Sequence, residues 1–151
     1  MAKIKIYITV TKELETVWID VTGKTYFIRE LLKALKFKWN PNAKTWSYVN
    51  SNLEFEDAIA RRIMKEVLNV DADDFGLYDF GDVFFEALRA LGFNIKMTKY
   101  MHDIDCSVTK YVAEIDADEK ELEKKATELA EKIKQARFKR KNLVSKAVIK
   151  K

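Results

Sequence analysis

Residues Phe37–Tyr48 place four aromatic rings and two lysines around a single turn, in the order FKWNPNAKTWSY. An aromatic ring stacks on any nucleobase, and an ammonium group attracts a phosphate whatever the base sequence. The segment therefore predicts contact with a single-stranded nucleic acid. The same rings would also suit a hydrophobic core, so the interpretation depends on the elements that position them.

The first two strands are predicted from strict alternation. In Lys3–Val10 every second residue is Ile or Val, and Thr16–Val21 repeats the pattern. Such alternation is typical of strands with one buried face. If the Ile and Val faces form the core, Tyr7 and Trp18 point away from it, together with Lys3 and Lys5. Either the C-terminal part of the chain covers these two rings, or they contact a ligand or a partner.

The next two strands are predicted at about Phe37–Trp39 and Lys44–Val49, on either side of an Asn-Pro-Asn turn. Placing Phe37 in the core puts the neighbouring lysines on the face of Tyr7 and Trp18. For the other rings of the segment, core and exposed positions both remain open. The candidate nucleic-acid-binding residues are Lys3, Lys5, Tyr7, Trp18, Lys36, Lys38, Trp39, Lys44, Trp46 and Tyr48.

Helical periodicity and short extended segments fill the rest of the first 115 residues. Helices are predicted at about Phe27–Leu35, Leu53–Leu68 and Asp82–Leu91, and further strands at Phe93–Met97 and Val108–Ile115. Glu30–Phe37 also resembles Glu86–Phe93, which suggests a shared helix-to-strand unit. We expect an α+β fold in which a small antiparallel sheet packs with helices and a C-terminal helix follows.

The C-terminal helix, predicted from Ala117 onwards, carries an apolar stripe and a concentration of positive charge. Residues 132–151 hold 9 Lys and Arg and no acids, whereas residues 51–131 hold 10 against 20 acids. Spacings of four and three are typical of paired helices. We predict a nucleic-acid-binding domain of residues 1–115 and a basic oligomerisation helix of residues 116–151, forming a homodimer or homotetramer. Its pairing residues would be Leu122, Ala126, Leu129, Ile133, Ala136 and Leu143.

Metal-binding residue types occur in two short segments. Asp71–Asp82 matches several ligand positions of a calcium loop, but its fifth position is Phe75 and its last is not the usual Glu. His102–Cys106 has no second cluster that would complete a site. Nucleophilic catalysis is also unsupported, because the sequence has no further His or Cys to partner this segment. We therefore expect no catalysis, no metal and no cofactor, and a metal-dependent nuclease is the least favoured alternative.

Cys106 is the only cysteine, so no internal disulfide can form. The sequence contains neither a signal-peptide pattern nor an apolar run long enough to span a membrane. We expect a cytoplasmic protein without membrane contact. Few Gln, Pro and Cys beside many Lys and Glu are typical of heat-adapted proteins.

Two resemblances support the nucleic-acid interpretation. Ala34–Trp46, ALKFKWNPNAKTW, resembles a small helix–hairpin module that accompanies primases and helicases, with Lys36 where that module has glycine and Asn40 where it has aspartate. The layout of the whole chain resembles the ThermoDBP group and its relatives, archaeal single-stranded DNA-binding proteins that do not use an OB-fold. Size, composition, an aromatic and basic α/β domain and a C-terminal helix carry this second resemblance.

The ThermoDBP resemblance implies sequence-independent binding of single strands by an oligomer, in DNA replication and repair. The sequence leaves open whether DNA or RNA is preferred, because that choice depends on contacts to the 2′-hydroxyl. The alternative function is an oligomeric adaptor of a DNA-processing complex, in which Trp18 and the basic face contact protein.

Overall fold

The computed structural model describes residues 2–50, 53–72 and 76–149, with side chains up to residue 138. The predicted α+β fold is confirmed. The elements in chain order are β1 (Ala2–Glu13), β2 (Thr16–Gly23), a 3-10 turn (Tyr26–Ile28), α1 (Arg29–Ala34), β3 (Lys38–Asn40), β4 (Thr45–Val49), α2 (Leu53–Glu66), α3 (Phe80–Leu91), β5 (Asn94–Asp103), β6 (Cys106–Ala117) and α4 (Glu119–Ile149). None of the described helices has the length and apolar character that crossing a membrane requires.

The six strands form one antiparallel sheet in the order β3-β4-β2-β1-β6-β5. The β1–β2 hairpin lies at its centre. The β3–β4 hairpin forms one edge and the β5–β6 hairpin forms the other. In the chain, each edge hairpin is preceded and followed by a helix, so the sheet joins two helix–hairpin–helix units to a central hairpin.

The core lies on one face of this sheet. Ile4, Ile6 and Ile8 of β1 are buried with Val21 of β2 and Ala113 of β6, in one cluster with apolar residues of all four helices. This confirms the face assignment made from alternation in the first two strands. Each fully buried aliphatic side chain stabilises the fold by about 1.5–3 kcal/mol. The opposite face of the sheet is not covered by any described element.

The two similar sequence segments fold into the same helix-to-strand junction. After α1, Lys36 adopts a left-handed conformation (φ 69°), and the amide of Phe37 donates to the carbonyl of Leu32 at 2.9 Å. After α3, Gly92 takes the left-handed position (φ 102°), and the amide of Phe93 donates to a carbonyl five residues back. Both are Schellman motifs. Each delivers a buried Phe to the core and starts an edge hairpin.

Helix α4 packs against its own chain along residues 119–138. Arg137 donates to the carbonyl of Ala34 at 2.9 Å, Arg62 donates to the carbonyl of Ala136 at 3.2 Å, and the Arg29–Glu123 ion pair closes at 2.8 Å. This part of the helix therefore belongs to the α+β domain and does not form a separate segment beginning at residue 116.

The predicted pairing stripe is consequently used inside the chain. Leu129 is partly buried, and four residues of the stripe are buried against the other helices: Leu122, Ala126, Ile133 and Ala136. The expectation that this stripe faces a second copy is therefore corrected. The physical reason is that spacings of four and three describe any buried helix stripe, and alanines let a neighbouring helix approach closely. Leu143 lies outside the described side chains.

Candidate nucleic-acid interface

The uncovered side of the sheet, called here the open face, has three cross-strand rows of side chains at its centre, and Lys3 and Lys5 lie beyond them toward the start of β1. One row crosses all six strands: Lys38, Ser47, Asp20, Thr9, Lys110 and Lys99. The row on one side of it is mainly apolar: Val49, Trp18, Thr11, Val108 and Met101. The row on the other side contains Thr22, Tyr7, Val112 and Lys96.

The two rings of the open face lie on the central hairpin, as the alternation predicts. Tyr7 is 49% exposed and Trp18 is half-buried between its neighbours Thr11 and Val49. Trp18 pairs opposite a residue four positions along β1 from Tyr7, a separation of ~13 Å at ~3.3 Å per residue. The described part of α4, up to Phe138, covers neither ring. Two separated aromatic rings are therefore accessible to solvent on this face, Tyr7 more than Trp18.

The cations of the open face are concentrated on one edge hairpin. Lys96 and Lys99 of β5 and Lys110 of β6 are exposed and have no ion-pair partner within the described part of the chain. Lys38 stands alone at the opposite edge. The carboxylate of Asp20 lies between them on β2 and accepts a hydrogen bond from Ser47 Oγ at 2.6 Å. Among the described residues, lysines without an ion-pair partner on the open face are therefore most numerous on β5 and β6.

Lys3 and Lys5 lie on the open face as predicted, but a carboxylate balances them. Glu114 of β6 is within 3.5 Å of Lys3 Nζ and 4.0 Å of Lys5 Nζ. All three side chains are partly exposed, so the pairing contributes little to stability. It does reduce the positive potential beside Tyr7.

Sequence reasoning missed the three lysines of the β5–β6 hairpin. Val108–Ile115 was predicted as a strand, but polarity does not separate its two faces, because Val108, Lys110 and Val112 alternate with Thr109, Tyr111 and Ala113. In β5 the alternation is interrupted by a register shift between Met97 and Lys99. A bulge of this kind inserts one residue, so every later side chain of the strand lies on the opposite face from the one that strict alternation predicts.

Two of the proposed stacking rings belong to the core, which corrects the prediction. Trp46 and Tyr48 are buried on the helix side of β4, and Tyr48 donates a 2.6 Å hydrogen bond to the carboxylate of Glu56, itself buried. Burial raises the pKa of Glu56, although the Tyr48 hydroxyl and the charge of Lys36 both act in the opposite direction. Neither ring can stack on a base from the open face.

The sequence analysis placed Lys36 on the open face, and the structure corrects this. Its ammonium group lies on the helix side, 4.0 Å from Glu56 Oε1 and 5.0 Å from the ring centroid of Phe80. Because Lys36 is the left-handed residue that ends α1, it lies outside the strand and does not follow the alternation of β3. Its contacts indicate a partner for the buried carboxylate.

The remaining two candidates lie at the β3–β4 edge. Trp39 is 46% exposed on the helix side, where its ring packs against Trp46 with centroids 5.4 Å apart. Lys44 is exposed in the turn between the strands with a left-handed backbone (φ 53°), next to Asn40, whose side chain accepts hydrogen bonds from two backbone amides of the turn. Neither side chain belongs to the open face.

The carboxylates of the predicted calcium loop have a structural role where they are described. Asp79 and Asp82 form a capping box at the start of α3, with two reciprocal hydrogen bonds of 3.0 Å. Residues 73–75 of that loop lie outside the described residues. In the rest of the described chain, no group of three or more potential metal-ligating side chains is found.

Comparison of the chain with protein-family models, with curated proteins and with solved structures found no match in any of the three. Function therefore has to be inferred from the geometry of this chain itself, since a fold class alone does not specify one.

Proposed function

We propose that this protein binds single-stranded nucleic acid, without sequence preference and without catalysis, on the open face of its sheet. The supporting observation is that Tyr7, Trp18 and unpaired lysines share one uncovered face. Rings on a strand face that none of the described elements covers have no role in the core. Stacking on one such ring contributes about 1–3 kcal/mol per base and is tolerant of sequence.

The distribution of charge suggests how a strand would lie. Phosphates would be held over β5 and β6 by Lys96, Lys99 and Lys110, and bases would point toward the rings of the central hairpin. Asp20 disfavours phosphates over β2 and so reinforces this orientation. The nucleic-acid strand would then run parallel to β1, with one base stacked on Trp18 and another on Tyr7.

Titration of fluorescent oligo-dT tests this proposal. Tyr7→Ala should weaken binding by about 5- to 150-fold, the loss of one stacked base. Tyr100→Ala is the matched control, because Tyr100 is 58% exposed but points to the helix side of β5. Equal affinity of the two variants, or no binding by the unmodified protein at low salt, would refute the proposal.

A further inference from the structure

A second aromatic surface lies on the helix side of the sheet, below the end of β2. We call it the aromatic cleft; it encloses about 690 Å³. Its size falls within the range of ligand pockets, and pockets of this kind are lined by aromatic groups with a few polar ones. Its lining includes Tyr26, Phe27, Trp39, Trp46, Lys24 and Arg29.

The exposed wall of the cleft is held in place before any ligand arrives. Tyr26 is 61% exposed, yet the guanidinium of Arg29 lies 4.0 Å from its ring centroid and donates to its backbone carbonyl at 2.8 Å. Arg29 is fixed in turn by Glu123 of α4 at 2.8 Å. A ring that is ordered in advance loses little conformational entropy on binding, which favours a ligand role.

The opposite wall is the half-exposed ring of Trp39, supported from behind by buried Trp46. Lys24 is exposed at the rim and has no ion-pair partner among the described residues, while Lys33 at the same rim is paired with Glu30. The cleft thus offers two ring faces and a free cation, the combination that suits one base with its phosphate.

Gly23 connects the open face to the cleft. Its backbone is left-handed (φ 95°), and a β-carbon there would lie 2.7 Å from the carbonyl oxygen of Lys5 and 3.2 Å from a ring carbon of Tyr7. The next amide, that of Lys24, donates to the same carbonyl at 3.1 Å. The sheet therefore ends in a low rim without a side chain, with Tyr7 on one side and the cleft on the other.

We infer that the aromatic cleft binds a nucleobase of the strand that occupies the open face, after the strand passes over Gly23. This inference rests on the proposed function and extends its binding site to a second face of the molecule. Trp18, Tyr7 and the cleft follow one another in a single direction along β1 and β2. Lys24 would hold the phosphate at the crossing.

A length series of oligo-dT, from about 4 to about 16 nucleotides, tests the inference because single-strand sites fall in this range. Tyr26→Ala and Trp39→Ala should leave the shortest bound oligomers unaffected and weaken the longest ones by about 5- to 150-fold. Tyr100→Ala should have no effect at any length. Thermal unfolding shows whether each variant is folded. If Trp39→Ala disturbs the packing of Trp46, Tyr26→Ala still tests the cleft independently.

The outcomes separate the two proposals. If Tyr7→Ala weakens binding at every length while both cleft variants behave like Tyr100→Ala, the cleft inference is overturned and the open-face proposal stands. If neither Tyr7→Ala nor a cleft variant changes binding, or the protein binds no oligomer, both are overturned. Weakening confined to the longer oligomers in both cleft variants supports the inference.

Discussion

The salt dependence of binding can be calculated from the ion pairs of the open face. For single strands, the logarithm of affinity falls with the logarithm of salt concentration at a slope of about −0.7 per phosphate contact. Three unpaired lysines over β5 and β6 give a slope of about −2.1, or a ~20-fold loss of affinity between about 50 and 200 mM salt. Removing one of them with Lys110→Gln should reduce the slope to about −1.4 and the loss to ~7-fold.

Glu114→Gln makes the opposite prediction. Lys3 and Lys5 are within 3.5 and 4.0 Å of this carboxylate, so a neutral amide would release both for phosphates. Five contacts correspond to a slope of about −3.5 and a ~130-fold loss over the same salt range, starting from a higher affinity at low salt. Removing a charged residue from the protein surface should therefore tighten binding.

Fluorescence anisotropy of labelled oligo-dT at several salt concentrations measures these slopes. Lys65→Gln, an exposed lysine of α2 on the helix side, is the control for a general change in net charge and should move the slope very little. Lys38→Gln should have a smaller effect than Lys110→Gln, because phosphates are expected at the other edge. A slope that shifts equally for Lys65, Lys38 and Lys110 would refute the geometry and leave only non-specific attraction.

Two further predictions concern stability. Burial raises the pKa of Glu56 above 4.5, so the folded state keeps a proton that the unfolded state has lost, and stability falls as pH rises from about 4.5 through the raised pKa. In thermal melts, Glu56→Gln should remove this fall in stability with pH. Tyr48→Phe should destabilise the fold by ~1–3 kcal/mol at neutral pH, since the buried carboxylate loses its hydrogen-bond donor. A larger loss of stability for Glu56→Gln than for Tyr48→Phe would contradict this. Ending the chain at Asp118 should unfold it, because buried Leu122 and Ile133 of α4 alone contribute ~3–6 kcal/mol to stability. A chain ending at Phe138 should still melt cooperatively when followed by circular dichroism. A folded chain that ends at Asp118 would show that α4 is dispensable.

Alternation predicted the faces of Lys3–Val10 and Thr16–Val21 correctly, because both strands are regular and one of their faces is buried. It failed at Lys36, the residue before the expected strand, because Lys36 belongs to the left-handed end of α1 and does not continue the alternation. It left Trp46 and Tyr48 undecided, because their strand alternates aromatic with small polar residues and either face is chemically acceptable. Only the pairing of β4 with β2, opposite buried Val21, places those rings in the core.

The helical stripe of α4 was recognised, but its partner was not. Leu122 and Ile133 bury equally well against α1 and α2 or against a second copy, and hydrophobic periodicity contains no information on which is present. The side chains that decide it are Arg29, Arg62 and Arg137, whose contacts cross between α4 and earlier helices. None of them has a local sequence signal, because each pairs with a residue more than seventy positions away.

The two edge hairpins occupy corresponding positions around the central hairpin, and their preceding helices end in the same Schellman motif. They differ in the charge that they present on the open face. Of the described residues, the β3–β4 hairpin contributes Lys38, whereas β5 and β6 contribute three lysines without an ion-pair partner. This difference places most of the unpaired lysines on one side of the two central rings. A single-stranded nucleic acid also has two sides, one of phosphates and one of bases. The difference between the hairpins would therefore place its phosphates over β5 and β6 and turn its bases toward the rings of the central hairpin.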